Sequence, residues 1–141
     1  VGCQSLYIDR KHSSYPFEHL KTIHRSKTGA LIRCAVQIGA LAGGGEIQQI
    51  DQLTSYGEAI GLAFQIVDDL LDETSTTEVL GKSAGADKAR GKATYPAFFG
   101  IEETRKLAQQ AVDQAKQALK GFGAEATPLV QLADFINDRT H

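Results

Sequence analysis

Three aspartates and a glutamine lie close together in residues 61–72, a stretch with the pattern of the end of a long helix. Because each residue of an α-helix advances by about 100°, Gln65 and Asp72 lie within about 60° of Asp68 around the helix. Asp69 lies about 100° from Asp68, so the four polar side chains share one face. The opposite face is apolar, and we expect it to be buried against neighbouring helices: Ala63, Ile66, Val67 and Leu70.

Two glycines lie earlier in the same predicted helix, on the side of the carboxylates. Gly57 and Gly61 place no side chain on that face. The sequence therefore predicts a face that combines a polar end with a wall without side chains, which leaves room for a ligand.

The acidic face opposes folding unless a cation compensates for it. Like charges three or four residues apart repel by about 0.2–0.5 kcal/mol per exposed pair. Carboxylates near a helix C-terminus also oppose the helix dipole, by about 0.3–1 kcal/mol each. Mg²⁺ would suit this site, because it prefers oxygen ligands and is usually held by one or two carboxylates plus substrate phosphates. The alternative interpretation is an acidic helix end that is simply solvated by water.

The composition of the chain bounds its class and its partners. A length of 141 residues is enough for one domain with a core, and the net charge of −2 gives no general attraction to nucleic acid or to an anionic membrane. No apolar run is long enough to span a bilayer. Cys3 and Cys34 lack metal-ligand spacing and indicate a reducing compartment, so we expect a cytoplasmic protein. Because the chain begins at Val1 and contains no methionine, we expect a piece of a longer protein.

Helical periodicity and turn residues predict an all-α fold with no convincing strand. The predicted helices cover residues 17–42, 46–74 and 101–120, with a short helix opening at Tyr95-Pro96 and a last one capped by Thr127-Pro128. Residues 75–95 are predicted to form a long loop. The side chains expected to face inward outside the acidic stretch are Leu20, Ile23, Leu31, Cys34, Ile38, Ile47, Ile50, Leu53, Leu107, Ala108, Ala111, Val112, Ala115, Leu119, Leu129, Leu132, Ala133 and Ile136.

Lys27 falls inside the apolar stripe of the first predicted helix. A charge in that position must extend to solvent or find an anion, since an unpaired buried charge is costly. Thr28 and Gly29 follow directly and favour a local kink, which would direct the lysine and the threonine hydroxyl into a cavity. The alternative is a lysine that extends along the surface to water.

The predicted loop carries a basic block directly after the acidic one. Residues 80–92 contain four basic side chains and one acidic, whereas residues 68–78 contain five acidic side chains and no basic one. Lysines separated by glycines are typical of a mobile basic flap whose partner is a polyanion. The alternative is that the two blocks pair with each other across the surface.

These motifs together resemble the C-terminal half of the trans-isoprenyl diphosphate synthases, most closely the bacterial farnesyl diphosphate synthase type. The matching segments run in the same order as in the family. They are Gly2-Cys3-Gln4 with Asp9, in which Cys3 replaces a glycine, residues 23–31 around Lys27-Thr28, residues 64–72 around the aspartates, and the flap segments Leu80-Gly81-Lys82, Gly85-Ala86-Asp87 and Gly91-Lys92-Ala93-Thr94-Tyr95-Pro96.

The resemblance implies an antiparallel helix bundle and a Mg²⁺-assisted prenyl transfer. In that reaction an allylic diphosphate ionises and the double bond of isopentenyl diphosphate attacks the resulting cation. By resemblance, Asp68 and Asp72 hold Mg²⁺, and Asp69 contributes through water. Lys27, Lys82 and Lys92 bind the allylic diphosphate. Thr28 and Gln65 lie beside the nascent cation, where their dipoles steer the cation or help relay the proton. The resemblance also implies a homodimer.

One departure from the family limits what these residues can do. The first aspartate-rich motif and the basic residues for isopentenyl diphosphate belong to the family's N-terminal half and are not in this sequence, so we expect the piece to be inactive alone. The product length is open, with farnesyl preferred and geranylgeranyl next. Two other readings remain: a non-catalytic small subunit of a heteromeric synthase, and a helical interaction module whose charged blocks pair.

Overall fold

The computed structural model describes residues 17, 18, 20, 22, 28–79 and 94–139, with side chains as far as residue 74 in the range 28–79. All regular structure in these ranges is helical, which confirms the all-α prediction. The helices are α1 (Thr28–Ala42), α2 (Ile47–Val79), α3 (Tyr95–Phe99), α4 (Ile101–Ala118) and α5 (Thr127–Asp138), and a 3₁₀ turn (Gly123–Ala126) precedes α5. None of the described helices is both long enough and apolar enough to cross a bilayer.

The 33-residue helix α2 is the centre of the fold and is about 50 Å long. Helix α1 runs antiparallel to α2, because Gln37 donates to the Thr54 hydroxyl at 3.1 Å and Arg33 pairs with Glu58 at 3.2 Å. Helix α5 runs parallel to α2. The Tyr56 hydroxyl donates to the Leu129 carbonyl in the first turn of α5, at 2.9 Å, and Asp68, further along α2, pairs with Arg139 at the end of α5. Every other described helix therefore packs along α2 or across one of its ends.

The core lies between α2, α4 and α5, and its members confirm most of the predicted apolar faces. The fully or almost fully buried residues are Tyr56, Ile60, Ala63, Ile66, Val67, Leu70, Ala108, Ala111, Val112, Ala115, Leu119, Ala133 and Ile136. The α4 contribution is mostly alanine, so this helix approaches α2 closely. Burial of the larger side chains stabilises the fold by about 1.5–3 kcal/mol each.

A glycine turn fixes the antiparallel pair of α1 and α2. Gly44 has a φ of 72°, a conformation that favours glycine, and Gly45 donates to the Ala40 carbonyl at 2.9 Å. The Gln49 side chain accepts the Glu46 amide at 2.9 Å and so caps the start of α2. The predicted end of the first helix at Ala42 is confirmed.

Two of the predicted helix boundaries are wrong. Helix α2 continues to Val79 rather than ending at Thr74, because serine and threonine lower helix propensity without breaking a helix and no glycine or proline occurs before Gly81. Thr127 does not cap α5, since the capping position is Ala126 and the Thr127 hydroxyl donates to the Ala124 carbonyl at 2.6 Å.

The predicted inward stripe of the first helix is confirmed at Leu20, which is buried, but is wrong within α1. Leu31 is 72% exposed and Ile38 60% exposed, and Cys34 is exposed as well. Helix α1 instead turns another face towards α2, on which Gly29 and Ala40 are buried and Ile32 and Val36 are partly buried. The glycines allow the two backbones to approach closely. Ile47 and Leu132, which were expected to face inward, are exposed too.

Candidate functional site

Residues 65–72 of α2, about two turns before its last residue Val79, carry the polar face that the sequence predicts. Gln65 is only 8% exposed, Asp68 and Asp69 are half-buried, and Asp72 is exposed. Burial therefore decreases along the helix from the amide to the third carboxylate. A ligand held by all four groups would lie with one end in the fold and the other towards solvent.

Gln65 carries a buried side-chain amide. No hydrogen bond joins this amide to another side chain or backbone group in the described ranges. A buried amide without a partner costs about 1–3 kcal/mol, and a native structure usually has a reason for such a group. The amide would regain this free energy by forming a hydrogen bond to a polar or cationic ligand, or to a water held with it.

Asp69 has a structural partner in the neighbouring helix. Its Oδ2 accepts a hydrogen bond from the backbone amide of Tyr95, at 3.0 Å. The Thr94 hydroxyl caps the same short helix by accepting from Ala97 at 3.3 Å. The middle carboxylate of the predicted magnesium set therefore fixes the first turn of α3 against the C-terminal third of α2.

An aromatic cluster stabilises this junction. Phe17 packs edge-on against Tyr95, Phe98 and Phe99, with ring centroids 5.3, 5.6 and 4.7 Å away. Burial raises the pKa of the Tyr95 hydroxyl to about 12, and the negative charges of Asp69 and Glu18 add to this shift. The tyrosine is thus a neutral wall of the site across the physiological pH range.

Asp68 pairs with a residue that the sequence analysis did not consider. The guanidinium of Arg139, which caps the C-terminal end of α5, lies 3.5 Å from Asp68 Oδ1 and 5.4 Å from the centre of the Phe64 ring. A basic residue at a helix C-terminus is common because it complements the helix dipole. Nothing in the sequence therefore distinguished Arg139 as part of the site.

Thr28 lies at the same end of the α1/α2 pair as Gln65. A Cβ built on Gly61 would lie 2.8 Å from the Gly29 Cα, so the two helices touch at their backbones there. A Cβ on Gly57 would lie 3.0 Å from the Arg33 Cα. The wall without side chains is therefore occupied by α1 and is not open to a ligand, which corrects the expected role of these glycines.

The basic groups predicted for the site fall outside the described residues. Lys27, Lys82 and Lys92 belong to this group, as do Cys3 and the segment around it. Within the described ranges, no three histidine, cysteine, aspartate or glutamate side chains are grouped so that they could hold a metal together. The carboxylate oxygens of the acidic face still fit Mg²⁺, because this ion usually takes one or two carboxylates and completes its shell with water and phosphate.

Comparison with known proteins decides the family. A family model described as Polyprenyl synthetase matches residues 2–126. The chain belongs to the polyprenyl synthetase family. Relatives in this family include the farnesyl diphosphate synthase of Escherichia coli, 45% identical over 98% of this chain and 48% of the relative. The geranylgeranyl diphosphate synthase of Cyanophora paradoxa is 46% identical to this chain. The matched region covers 100% of this chain and 47% of the length of that relative.

Solved structures of polyprenyl synthetases have the same fold. A putative farnesyl-diphosphate synthase from Marinomonas sp. MED121 superposes with a TM-score of 0.80 at 33% identity, over 97% of this chain and 46% of that one. A decaprenyl diphosphate synthase from Rhodobacter capsulatus superposes with a TM-score of 0.82 at 26% identity, over 99% of this chain and 56% of that one. The chain spans about half the length of the curated relatives that it matches.

Proposed function

We propose that this chain is part of an isoprenyl diphosphate synthase that condenses isopentenyl diphosphate with an allylic diphosphate. The observation that carries the proposal is the buried amide of Gln65, without a described partner, one turn before the half-buried carboxylate of Asp68. A neutral dipole next to an acidic, metal-compatible helix end suits a substrate that becomes a carbocation at one end and a diphosphate at the other. Membership of the family supports the same chemistry.

Each residue of the site has a proposed role in this reaction. Asp68 and Asp72 would hold Mg²⁺, with Asp69 contributing through water while it fixes α3. Bound Mg²⁺ would supply positive charge to the leaving diphosphate. Lys27, Lys82 and Lys92 would bind the allylic diphosphate. Gln65 and the Thr28 hydroxyl would direct their dipoles at the nascent cation and help relay the departing proton.

We further propose farnesyl diphosphate as the product, with geranylgeranyl diphosphate as the alternative, since relatives with both names match this chain. The first aspartate-rich motif of the family is not among the 141 residues. We therefore propose that the isolated chain does not turn over geranyl diphosphate and needs the N-terminal half of the protein. Measurable turnover by the purified chain alone would contradict this.

We propose that the assembled protein is a cytoplasmic homodimer that uses the exposed face of α1. This face presents Leu31, Ile38 and Leu41, the last of which is 63% exposed, and exposed apolar side chains of this size favour a protein partner. Leu31→Glu together with Ile38→Glu should lower the sedimentation mass of the assembled protein to that of a monomer. An unchanged mass would place the dimer contact elsewhere.

The binding half of the proposal can be tested on the chain itself. Calorimetric titration with inorganic pyrophosphate should show binding that requires Mg²⁺ and is lost in Asp68→Asn. Asp51→Asn is a matched control, because Asp51 is an exposed carboxylate of the same helix about 25 Å from Asp68. Equal binding by both variants would contradict the role of Asp68, and binding without Mg²⁺ would contradict a metal-bridged site.

A further inference from the structure

Arg139 is attached to the acidic end of α2 at two points. Its guanidinium is 3.5 Å from Asp68 Oδ1, and its charged carbon lies 5.4 Å from the centre of the Phe64 ring. Phe64 and Asp68 are one helical turn apart, so one cation covers two successive positions of the same face. The side chains of Arg139 and Asp68 are 34% and 39% exposed, so solvent screens the pair only in part.

The rest of the last turn of α5 is held independently of Arg139. Asn137 donates to the Gln109 side chain of α4 at 2.8 Å, and Lys116 of α4 pairs with Asp134. Arg139 can therefore leave Asp68 without releasing α5 from the bundle. Its position at the end of the helix, after the last of these anchors, gives the side chain room to move alone.

A divalent cation at Asp68 would compete with this arginine for the same carboxylate. A positive charge so close to Asp68 opposes the approach of a metal ion and also stabilises the carboxylate while no metal is bound. The metal ion and Arg139 compete for the Asp68 carboxylate, and such coupling is reciprocal. Arg139 therefore weakens metal binding by a certain factor, and bound metal weakens the Arg139 contact by the same factor.

We propose that Arg139 is the built-in counter-ion of Asp68, and that a divalent metal must displace it from the carboxylate and from the Phe64 ring. The last helix thereby belongs to the site as a positioning element: it keeps the acidic face charged and folded when no metal is present and releases a guanidinium when metal binds. This inference rests on the proposed function, in which Asp68 is a magnesium ligand.

The competition can be tested by titrating the chain with Mn²⁺ alone. Binding is monitored by electron paramagnetic resonance, as the loss of the signal of the free ion. Mn²⁺ serves as the probe because it shares the preference of Mg²⁺ for oxygen ligands. Arg139→Gln should bind Mn²⁺ about two- to fivefold more tightly than the original chain, the range expected for a partly exposed ion pair. Arg139→Lys should restore part of the difference.

Arg33→Gln is the matched control for charge. It removes an arginine of α1 from a similar exposed pair with Glu58. Glu58 lies on the same long helix as Asp68, about 15 Å away from it. This variant should bind Mn²⁺ as the original chain does. Equal or weaker binding by Arg139→Gln would overturn the inference while leaving the proposed function intact, provided that Asp68→Asn abolishes binding. If Asp68→Asn still binds Mn²⁺ normally, both are overturned.

Nuclear magnetic resonance can distinguish displacement of Arg139 by metal from a purely structural role, because a structural role would leave the Arg139 resonance unchanged when metal is added. The Arg139 Nε–Hε resonance should be displaced by the Phe64 ring current in the metal-free chain. Addition of Mg²⁺ alone should move it to the value of a solvated arginine along a single saturable binding curve. The Arg33 resonance should stay in place. A resonance of Arg139 that does not move at saturating Mg²⁺ would overturn the displacement.

Discussion

At the scale of single residues, the buried amide of Gln65 should lower the stability of the chain. An amide without a partner costs about 1–3 kcal/mol, and an apolar side chain of similar size avoids that cost. Gln65→Leu should therefore raise the free energy of unfolding by about 1–2 kcal/mol, measured by urea denaturation. Gln48→Leu, at an exposed position of the same helix, should change it by less than about 0.5 kcal/mol. A loss of stability in Gln65→Leu would mean that the amide is satisfied.

Asp69 should contribute to stability in a way that an exposed aspartate does not. Its hydrogen bond from Tyr95 joins α2 to α3, and a hydrogen bond to a charged group is worth about 1.5–3 kcal/mol. Asp69→Ala should lower the free energy of unfolding by about that amount. The comparison is Asp51→Ala, for which we expect a change within about 0.5 kcal/mol. Equal effects of the two changes would show that the Tyr95 contact is not stabilising.

The sequence predicted where the acidic residues lie on the helix, but not what each carboxylate contacts. Helical geometry follows from spacing alone, so Asp68, Asp69 and Asp72 could be assigned to one face. The partners of Asp69 and Asp68 come from Tyr95 and Arg139, which lie far along the chain. Contacts of this kind depend on how the helices pack, and no local pattern encodes them.

At the scale of the helices, the contact between Gly61 and Gly29 sets the spacing of α1 and α2. An added Cβ at Gly61 would meet backbone atoms at 2.8 Å, which cannot rotate away. Gly61→Ala should therefore lower the free energy of unfolding by about 1–3 kcal/mol, the usual cost of overpacking.

Gly39 of α1 provides the opposite case for the same measurement. It has no atom within 4 Å of an added Cβ and lies in an exposed part of a helix. Gly39→Ala should raise the free energy of unfolding by about 0.5–1 kcal/mol, because alanine favours the helix. If both substitutions were stabilising, the two helices would have to be further apart than the structure places them.

The helices themselves could be predicted, whereas the orientation of α1 could not. Periodicity identified its apolar residues, and the glycines after Ala42 marked its end. The large apolar side of α1 was expected to face the core because large side chains bury most surface. The observed helix packs a different face on α2, with Ile32 and Val36 partly buried beside Gly29 and Ala40, because close backbone approach is possible only where glycines meet. The apolar stripe of α1 alone did not distinguish a core face from an outer face.

At the scale of the whole molecule, two buried tyrosines should make the fold sensitive to high pH. Burial raises the pKa of Tyr56 and of Tyr95 to about 12, from the ordinary value of 10.0. Between pH 10 and 12 the unfolded chain releases protons that the native chain retains, so stability must fall as pH rises. Below pH 10 these groups contribute no pH dependence.

The measurement is the free energy of unfolding at several pH values from 9 to about 12. Tyr56→Phe should show a shallower fall than the original chain over this window, even though it loses the hydrogen bond to Leu129 and starts from a lower stability. Lysine deprotonation affects both proteins equally and cancels in the difference between their slopes. Parallel curves would show that Tyr56 ionises as easily in the native state as in the unfolded one.

The exposed thiol of Cys34 gives α1 a chemical reporter of its own. It lies on the same outer side as Leu31 and Ile38, so any protein that covers this helix must also cover the sulfur. In a Cys3→Ser background, the rate of alkylation by iodoacetamide would measure how often that surface is bare. A rate that falls with rising protein concentration would mean self-association, and one that falls only when the upstream polypeptide is added would identify that segment as the cover.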